Sequence, residues 1–219
     1  MTEKTGLRRN RDMNKEKKTI LGVTGGVGAG KSSVLDILKT EFGARVILAD
    51  ETAHDLMEPG SEGLLRIVGE LGDGFLSPDG RVDKKRLAEL IFHDDMALEK
   101  LNAIIHPMVW ETVMREAGEA EETLVVIEAA VFSGAPADFF DEIWYIDTTE
   151  ENRIARLMAS RGYTREKCES IMANQGSEAD YRRLCSRVID NNGGPDEMKK
   201  KLKEILAHEI CQHCQREQR

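Results

Sequence analysis

Short apolar runs alternate with longer segments in which apolar residues recur at helical spacing. Such short runs fit strands that are buried on both faces of a parallel sheet. Strands are predicted at residues 19–24, 45–49, 124–127, 143–146 and 188–189. Because helical patterns separate these runs, the chain is predicted to have an α/β fold, with a parallel sheet, right-handed crossovers and helices on both faces.

A phosphate-binding loop is predicted directly after the first strand, where residues 25–32 read GGVGAGKS. Glycines let backbone amides approach phosphate oxygens, and the N-terminus of the following helix adds its dipole. Lys31 is predicted to reach the β- and γ-phosphates and to be catalytic, while the Ser32 hydroxyl is predicted to bind Mg²⁺. The residues predicted to bind nucleotide in this loop are Gly26, Val27, Gly28, Ala29, Gly30, Lys31, Ser32 and Ser33.

The domain organisation follows from the longest interval between predicted strands. Residues 55–119 have helical patterns and no strong strand pattern, and they are too many for an ordinary crossover. They are predicted to be a helical insertion that binds a substrate. Residues 19–54 and 120–219 would form the nucleotide-binding core, with a lid at 161–180, and the polar residues 1–18 would be a disordered leader.

The loop alone does not distinguish a kinase from a GTPase, a motor or an ABC-type ATPase. The Asn-Lys-x-Asp turn of guanine specificity and the Leu-Ser-Gly-Gly-Gln run of ABC-type ATPases are both absent from the sequence. The helical insertion and a late segment rich in arginine favour a small-molecule kinase with a P-loop kinase core.

Three arginines are predicted to form the basic part of the lid. Arg153 and Arg156 share a helix face, and Arg161 precedes a glycine that breaks the helix. Guanidinium groups here would neutralise charge on a transferred phosphoryl group. Arg156 is predicted to be catalytic and Arg161 to bind the nucleotide; a solvated charged helix is the alternative.

Carboxylates end three of the predicted strands. Asp50, Glu128 and Asp147 are expected to meet at the edge of the sheet where ligands bind in such folds. Asp50 also fits a helix N-cap. Asp147 precedes a possible capping box, formed by Thr148 and Glu151.

Composition narrows the range of partners. The net charge of −9 argues against nucleic acid and against an anionic membrane surface as partners. No apolar run approaches the roughly 20 residues that span a bilayer. Four cysteines without the spacing of a disulfide framework suit a reducing cytoplasm. The oligomeric state is left undetermined.

Several motifs, in order along the chain, resemble those of dephospho-coenzyme A kinases. The similarity extends from about residue 19 to about residue 206. The His-Pro and Asp-Asn-Asn-Gly motifs are each weak alone but strong together with the phosphate loop. The motifs are GVTGGVGAGKSS at 22–33, Ala49-Asp50, Ala53-His54, Glu58-Pro59-Gly60, LNAIIHP at 101–107 and VIDNNG at 188–193.

The resemblance implies transfer of the ATP γ-phosphate to the ribose 3′-hydroxyl of dephospho-coenzyme A. Asp50 matches the catalytic carboxylate, which would accept or orient the hydroxyl proton. His54 and His106 match positions on the acceptor side, although packing or a turn before a proline is an alternative for His106. Asn192 and Gly193 would lie against the adenine of ATP.

Two departures from the family pattern concern the acceptor half. Leu48 replaces the first aspartate of an Asp-x-Asp pair, and residues 129–133, AAVFS, replace a run that ends in glutamate. Glu128 is a partial substitute for that glutamate. Another nucleoside or nucleotide kinase, or a nucleotide-dependent regulatory module with little turnover, remains an alternative function.

Overall fold

The computed structural model describes residues 18–136, 138–175 and 178–216. Five parallel strands form one sheet in the order β2-β3-β1-β4-β5. The strands are β1 (Thr19–Thr24), β2 (Arg45–Leu48), β3 (Leu124–Glu128), β4 (Glu142–Asp147) and β5 (Arg187–Asp190). All five predicted strands and the parallel sheet are therefore confirmed.

Helices follow or connect the strands. They are α1 (Lys31–Phe42), α2 (Ala49–Asp55), α3 (Glu62–Leu71), α4 (Lys84–His93), α5 (Asp95–Glu119), α6 (Glu150–Arg161), α7 (Arg165–Ala173), α8 (Glu178–Leu184) and α9 (Pro195–Arg216). None of the helices in the described ranges is both long and apolar enough to cross a membrane.

The sheet is covered on both faces, as the sequence predicts. On one face, α1 and α9 bury a cluster that includes Val34, Leu38 and Leu202. On the other face, α2, α3 and α5 pack over β2 and β3, where Ile67 and Val113 are fully buried. Since each cluster joins helix to sheet, the strand ends are fixed relative to the helices that begin beside them.

The segment between β2 and β3 is helical, apart from an isolated bridge between Leu76 and Val82. Side-chain caps begin three of its helices: Ser61 for α3, Asp83 for α4 and Asp94 for α5. Pro107 lies inside the 25-residue α5. A turn before Pro107, one of the alternatives to an acceptor role for His106, is therefore excluded, because the helix continues through the proline.

Three local predictions at strand ends are also corrected. The second strand ends at Leu48, which is the N-cap of α2, so Asp50 lies inside the first turn instead of capping it. The N-cap of α6 is Thr149, and its side chain makes no capping bond. The possible capping box is not formed, because the Thr148 hydroxyl instead faces the backbone carbonyls of Asp147 and Ala29, at 2.7 and 3.0 Å.

Parts of two predictions lie outside the described residues. Of the predicted disordered leader at 1–18, only residue 18 is described. Residues 176–177 of the predicted lid are likewise outside the described ranges.

Candidate active site

The phosphate loop connects β1 to α1, and several of its glycines have positive φ angles. Gly30 is the N-cap of α1 and has a φ of 90°, in the left-handed region that favours glycine. A Cβ on Gly30 would collide with the amide nitrogen of Asn191 and the guanidinium of Arg156. The loop therefore requires glycine at this position for both its backbone angle and its close neighbours.

Lys31 is the first residue of α1, and its side chain reaches back to the start of the phosphate loop. Its Nζ donates to the Gly25 carbonyl at 2.8 Å and lies 3.5 Å from Glu128 Oε1. The first backbone hydrogen bonds at the start of α1 run from the Ser33 and Val34 amides to the Gly30 carbonyl, at 3.1 and 3.3 Å. The Lys31 and Ser32 amides precede these bonds and have no acceptor within the helix, which suits them to phosphate oxygens. Ser32 and Ser33 are exposed in this same turn. The arrangement offers an ammonium, two hydroxyls and helix amides to an anion.

Glu128 ends β3 beside this ammonium. Its side chain is 14% exposed, and the strand register pairs the residue with Val23 on one side and with Leu48 on the other. Burial raises the pKa of Glu128 above its usual value, the charge of Asp50 raises the pKa further, and Lys31 opposes the shift. Two of the three predicted carboxylates, Asp50 and Glu128, are therefore electrostatically coupled at the carboxyl edge.

A cavity of about 640 Å³ extends from this edge along the outer strand β2. Its lining residues include Lys31, Ser32, Glu128 and Arg161. The remaining lining residues come from α1, β2, α2 and α5, and include charged side chains of both signs. Arg161 and Ser32, which were predicted separately to bind nucleotide, thus border one cavity.

The carbonyl of Ala29 fixes the far side of the loop. It accepts from Thr148 Oγ1 at 3.0 Å, Arg156 Nη1 at 2.9 Å and Asn191 Nδ2 at 2.7 Å. Arg156 Nη2 also donates to the Asn191 carbonyl at 2.7 Å. Arg156 therefore ties α6, the phosphate loop and the turn after β5 to one another.

Comparison with known proteins assigns this chain to a family. A family model described as dephospho-CoA kinase matches residues 19–197. A dephospho-CoA kinase from Thermobifida fusca is 37% identical over 187 residues, which cover 84% of this chain and 93% of that protein. One from Geobacter sulfurreducens is 35% identical and covers 86% and 97%. The chain belongs to the dephospho-CoA kinase family.

Solved structures agree with the observed fold. A crystal structure of a Thermus thermophilus protein has 30% identity and a TM-score of 0.72, covering 88% of this chain and 98% of that one. The structure of a dephospho-CoA kinase from Campylobacter jejuni has a TM-score of 0.56 at 18% identity, over 87% and 97% of the two chains. The second similarity concerns the fold alone, which is that of a P-loop kinase.

The two histidines of the family pattern lie on different helices. His54 is exposed in α2, one turn after Asp50, with its Nε2 3.5 Å from Glu58 Oε1. His106 is half-buried in α5. It lies close to Gly134, since a Cβ placed on Gly134 would be 3.5 Å from the Cβ of His106. The loop after β3 is thus packed on α5, and the Trp110 indole reinforces it by donating to the Ser133 carbonyl at 2.9 Å.

The Asp-Asn-Asn-Gly turn of the family pattern adjoins the start of α6. Asn192 Oδ1 accepts from the Thr149 amide and from Asn152 Nδ2, each at 2.9 Å. The Asn192 amide group also bonds to Asp190, which lowers the pKa of that carboxyl. Gly193 follows at the same turn, beside the Glu197 carboxylate.

Gln175 is a site residue that sequence reasoning missed. Its side-chain oxygen accepts from the Val27 amide at 3.0 Å and from Arg153 Nη2 at 2.8 Å. The contact with Val27 joins residues 148 positions apart, and a single glutamine after a helix carries no motif. Only the tertiary structure brings Gln175 to the phosphate loop.

The described residues suit a Mg²⁺ ion that is held mainly by the nucleotide phosphates. Within the described ranges, no group of three histidine, cysteine or acidic side chains is arranged to hold a metal ion. Mg²⁺ in phosphate sites commonly keeps several waters and is held by substrate phosphates with one or two protein oxygens. The exposed Ser32 hydroxyl in the first turn of α1 is suited to that role.

Proposed function

We propose that this chain transfers the γ-phosphoryl group of ATP to the ribose 3′-hydroxyl of dephospho-CoA, which gives coenzyme A. The single observation that carries the proposal is the contact between Lys31 of the phosphate loop and Glu128, 3.5 Å apart, at the edge of the sheet where Asp50 begins the helix after β2. The two carboxylates would supply an acceptor half to the nucleotide loop. Membership of the dephospho-CoA kinase family supports the choice of acceptor.

In the donor half, the phosphate loop binds ATP. The first-turn amides of α1 and the Lys31 ammonium would hold the β- and γ-phosphates. The Ser32 hydroxyl would hold Mg²⁺, whose chemistry is to neutralise charge on the phosphate oxygens. The predicted contacts of Asn192 and Gly193 with adenine, and of Arg161 with phosphate, belong to this half.

In the acceptor half, Asp50 orients the 3′-hydroxyl. The hydroxyl oxygen forms a new bond to the γ-phosphorus as the bond from that phosphorus to the bridging oxygen of ADP breaks. Asp50 takes the hydroxyl proton and later releases it to solvent. Phosphoryl transfer leaves little covalent work for the protein, so alignment and charge neutralisation supply most of the rate enhancement.

Glu128 places a carboxylate between the Lys31 ammonium of the donor half and the acceptor half. It stands opposite Leu48 in the sheet register, where the family pattern has a further aspartate. The Glu128 carboxylate would hold the Lys31 ammonium in place before ATP arrives, over the 3.5 Å that separates them. We propose that Glu128 is the supporting carboxylate that the sequence lacks at position 48.

The segment α2–α5 is proposed to bind the acceptor. His54 lies on the same helix as Asp50, and His106 lies beside the loop that follows Glu128. Imidazole groups at these two positions are proposed to contact the acceptor. The proposed partners are small molecules, with no role for nucleic acid or a membrane, and the proposed location is the cytoplasm.

A panel of acceptors tests the proposed function. Purified protein is given Mg²⁺ and ATP together with dephospho-CoA, adenosine, AMP or shikimate, and ADP release is followed by a coupled assay. Dephospho-CoA is expected to stimulate ADP release well above the rate without acceptor. A preference for another member of the panel, or ATP binding without stimulation by any acceptor, contradicts the proposal.

A further inference from the structure

The third residue of the phosphate loop is bound from outside the loop at both of its backbone polar groups. The Val27 amide donates to Gln175 Oε1 at 3.0 Å, and Arg153 Nε donates to the Val27 carbonyl at 2.8 Å. Arg153 Nη2 donates to the same Gln175 oxygen at 2.8 Å. Val27, Arg153 and Gln175 therefore form a closed ring of three hydrogen bonds.

The side chain of Val27 packs on α6, which carries Arg153, and on α7, which precedes Gln175. It packs against Ile154 and Leu157 of α6 and against Cys168 of α7, all of which are buried. Met172, near the end of α7, joins this cluster. Polar and apolar contacts thus attach α7 to the phosphate loop through a single loop residue.

The ring places the Arg153 guanidinium directly on the loop. A Cβ on Gly26 would lie 2.5 Å from Arg153 Nη2 and 2.6 Å from its Cζ, so the guanidinium occupies space that only glycine leaves open. Nε and Nη2 are used within the ring. Within the described part of the chain, Nη1 has no protein acceptor and remains available for an anion.

We propose that Gln175 is a positioning residue of the ATP site. By accepting from Arg153 and Val27 together, it fixes the guanidinium against the phosphate loop, with Nη1 left for a phosphate oxygen. A neutral amide oxygen suits this task, because a carboxylate would pair with the Arg153 charge and repel phosphate. The inference rests on the proposed function only in taking ATP as the nucleotide.

A double-mutant cycle on ATP affinity tests this role directly. The dissociation constant for ATP is measured by titration calorimetry for the wild type, Gln175→Ala, Arg153→Ala and the double variant. Each single change is expected to weaken binding about tenfold, and the double variant is expected to bind about as weakly as Arg153→Ala alone. Asn174→Ala is the matched control, because in the described part of the chain the Asn174 side-chain amide bonds to the Ser170 carbonyl of α7 and not to the phosphate loop.

Two results overturn the proposal: unchanged affinity in Gln175→Ala, or a double variant whose loss is the product of the two single losses. If Gln175→Ala fails to fold, Gln175→Glu serves, because it keeps the acceptor oxygen. That variant is expected to melt like the wild type and to bind ATP about tenfold more weakly at low salt, less so at high salt. Wild-type affinity in a folded Gln175→Glu overturns the proposal. Because these experiments contain no acceptor, a failure of dephospho-CoA phosphorylation is recognised separately.

Discussion

Glu128 Oε1 lies 3.5 Å from Lys31 Nζ, which links the end of β3 to the start of α1. The two residues belong to different halves of the proposed site, since Lys31 serves the donor and Glu128 stands beside Asp50 on the acceptor side. Their ion pair therefore connects the phosphate loop to the carboxylates of the proposed acceptor half. Glu128 is also the register partner of Leu48, so it brings a carboxylate to the edge where β2 ends.

Asp50→Asn is expected to lower kcat with dephospho-CoA at least about a hundredfold, because the amide cannot accept the hydroxyl proton. The Kd for ATP should change little, since Asp50 is outside the phosphate loop. Steady-state kinetics and ATP titration measure the two effects. Asp196→Asn is the matched control, because both aspartates lie exposed in the first turn of a helix. Undiminished turnover in Asp50→Asn would remove it from the mechanism.

Glu128→Gln is expected to stabilise the fold at neutral pH and to lower turnover. Because the pKa of Glu128 is raised in the folded protein, its ionisation disfavours folding once the pH exceeds the usual value of 4.5. The loss of folding stability is absent below pH 4.5, grows as the pH rises from 4.5 to the raised pKa of the folded protein, and is complete above that pKa. The gain in thermal midpoint should therefore be larger at pH 8 than at pH 5.

Glu142→Gln provides the contrast for Glu128. Glu142 is also a largely buried strand glutamate, but it accepts two hydrogen bonds from the Arg187 guanidinium, at 2.8 and 2.9 Å. Its neutral variant should be destabilised at pH 8, where Glu128→Gln is stabilised. Equal signs in the two variants would contradict the proposed role of burial at Glu128.

Arg156→Ala is expected to lower the free energy of unfolding by about 1–3 kcal/mol, because the carbonyls of Ala29 and Asn191 lose a charged donor. ATP affinity should fall as well, since the same carbonyls shape the phosphate loop. Chemical denaturation and ATP titration measure both. Arg165→Ala, which removes an exposed pair with Glu151, should have the smaller effect on stability. A fully stable Arg156→Ala protein would mean that the loop does not depend on this arginine.

Gly30→Ala is expected to weaken ATP binding more than tenfold, because the left-handed backbone and the contacts with Asn191 and Arg156 leave no space for a methyl group. Gly69→Ala is the control, since nothing lies within 4 Å of a Cβ at that position inside α3. That change should be neutral or stabilising by about 0.5–1 kcal/mol, through helix propensity. Similar ATP affinities in the two variants would contradict the proposed loop geometry.

Much of the fold can be predicted from the sequence because its signals are local. Buried parallel strands are continuous apolar runs, and each of the five is found where its run occurs. The apolar positions of α1 are likewise buried at the predicted spacing. The phosphate loop is recognisable because glycine, lysine and serine must occupy fixed places for phosphates to fit.

The features that sequence reasoning missed depend on tertiary contacts. Thr148 suited a cap by its position, but the Ala29 carbonyl competes for its hydroxyl from 119 residues away. Pro107 suggested a turn, yet packing on the sheet carries α5 through it. Gln175 had no pattern to mark it. In each case the deciding partner lies far along the chain.

The position of the transferred phosphate is the most direct test of the proposed reaction. The product of wild-type protein, Mg²⁺, ATP and dephospho-CoA is isolated and examined by mass spectrometry and phosphorus NMR. One added phosphate is expected, as a monoester on the ribose 3′-oxygen, and Asp50→Asn should yield almost none in the same time. A phosphate on another hydroxyl, or no phosphorylated product from a protein that binds ATP, would contradict the assignment.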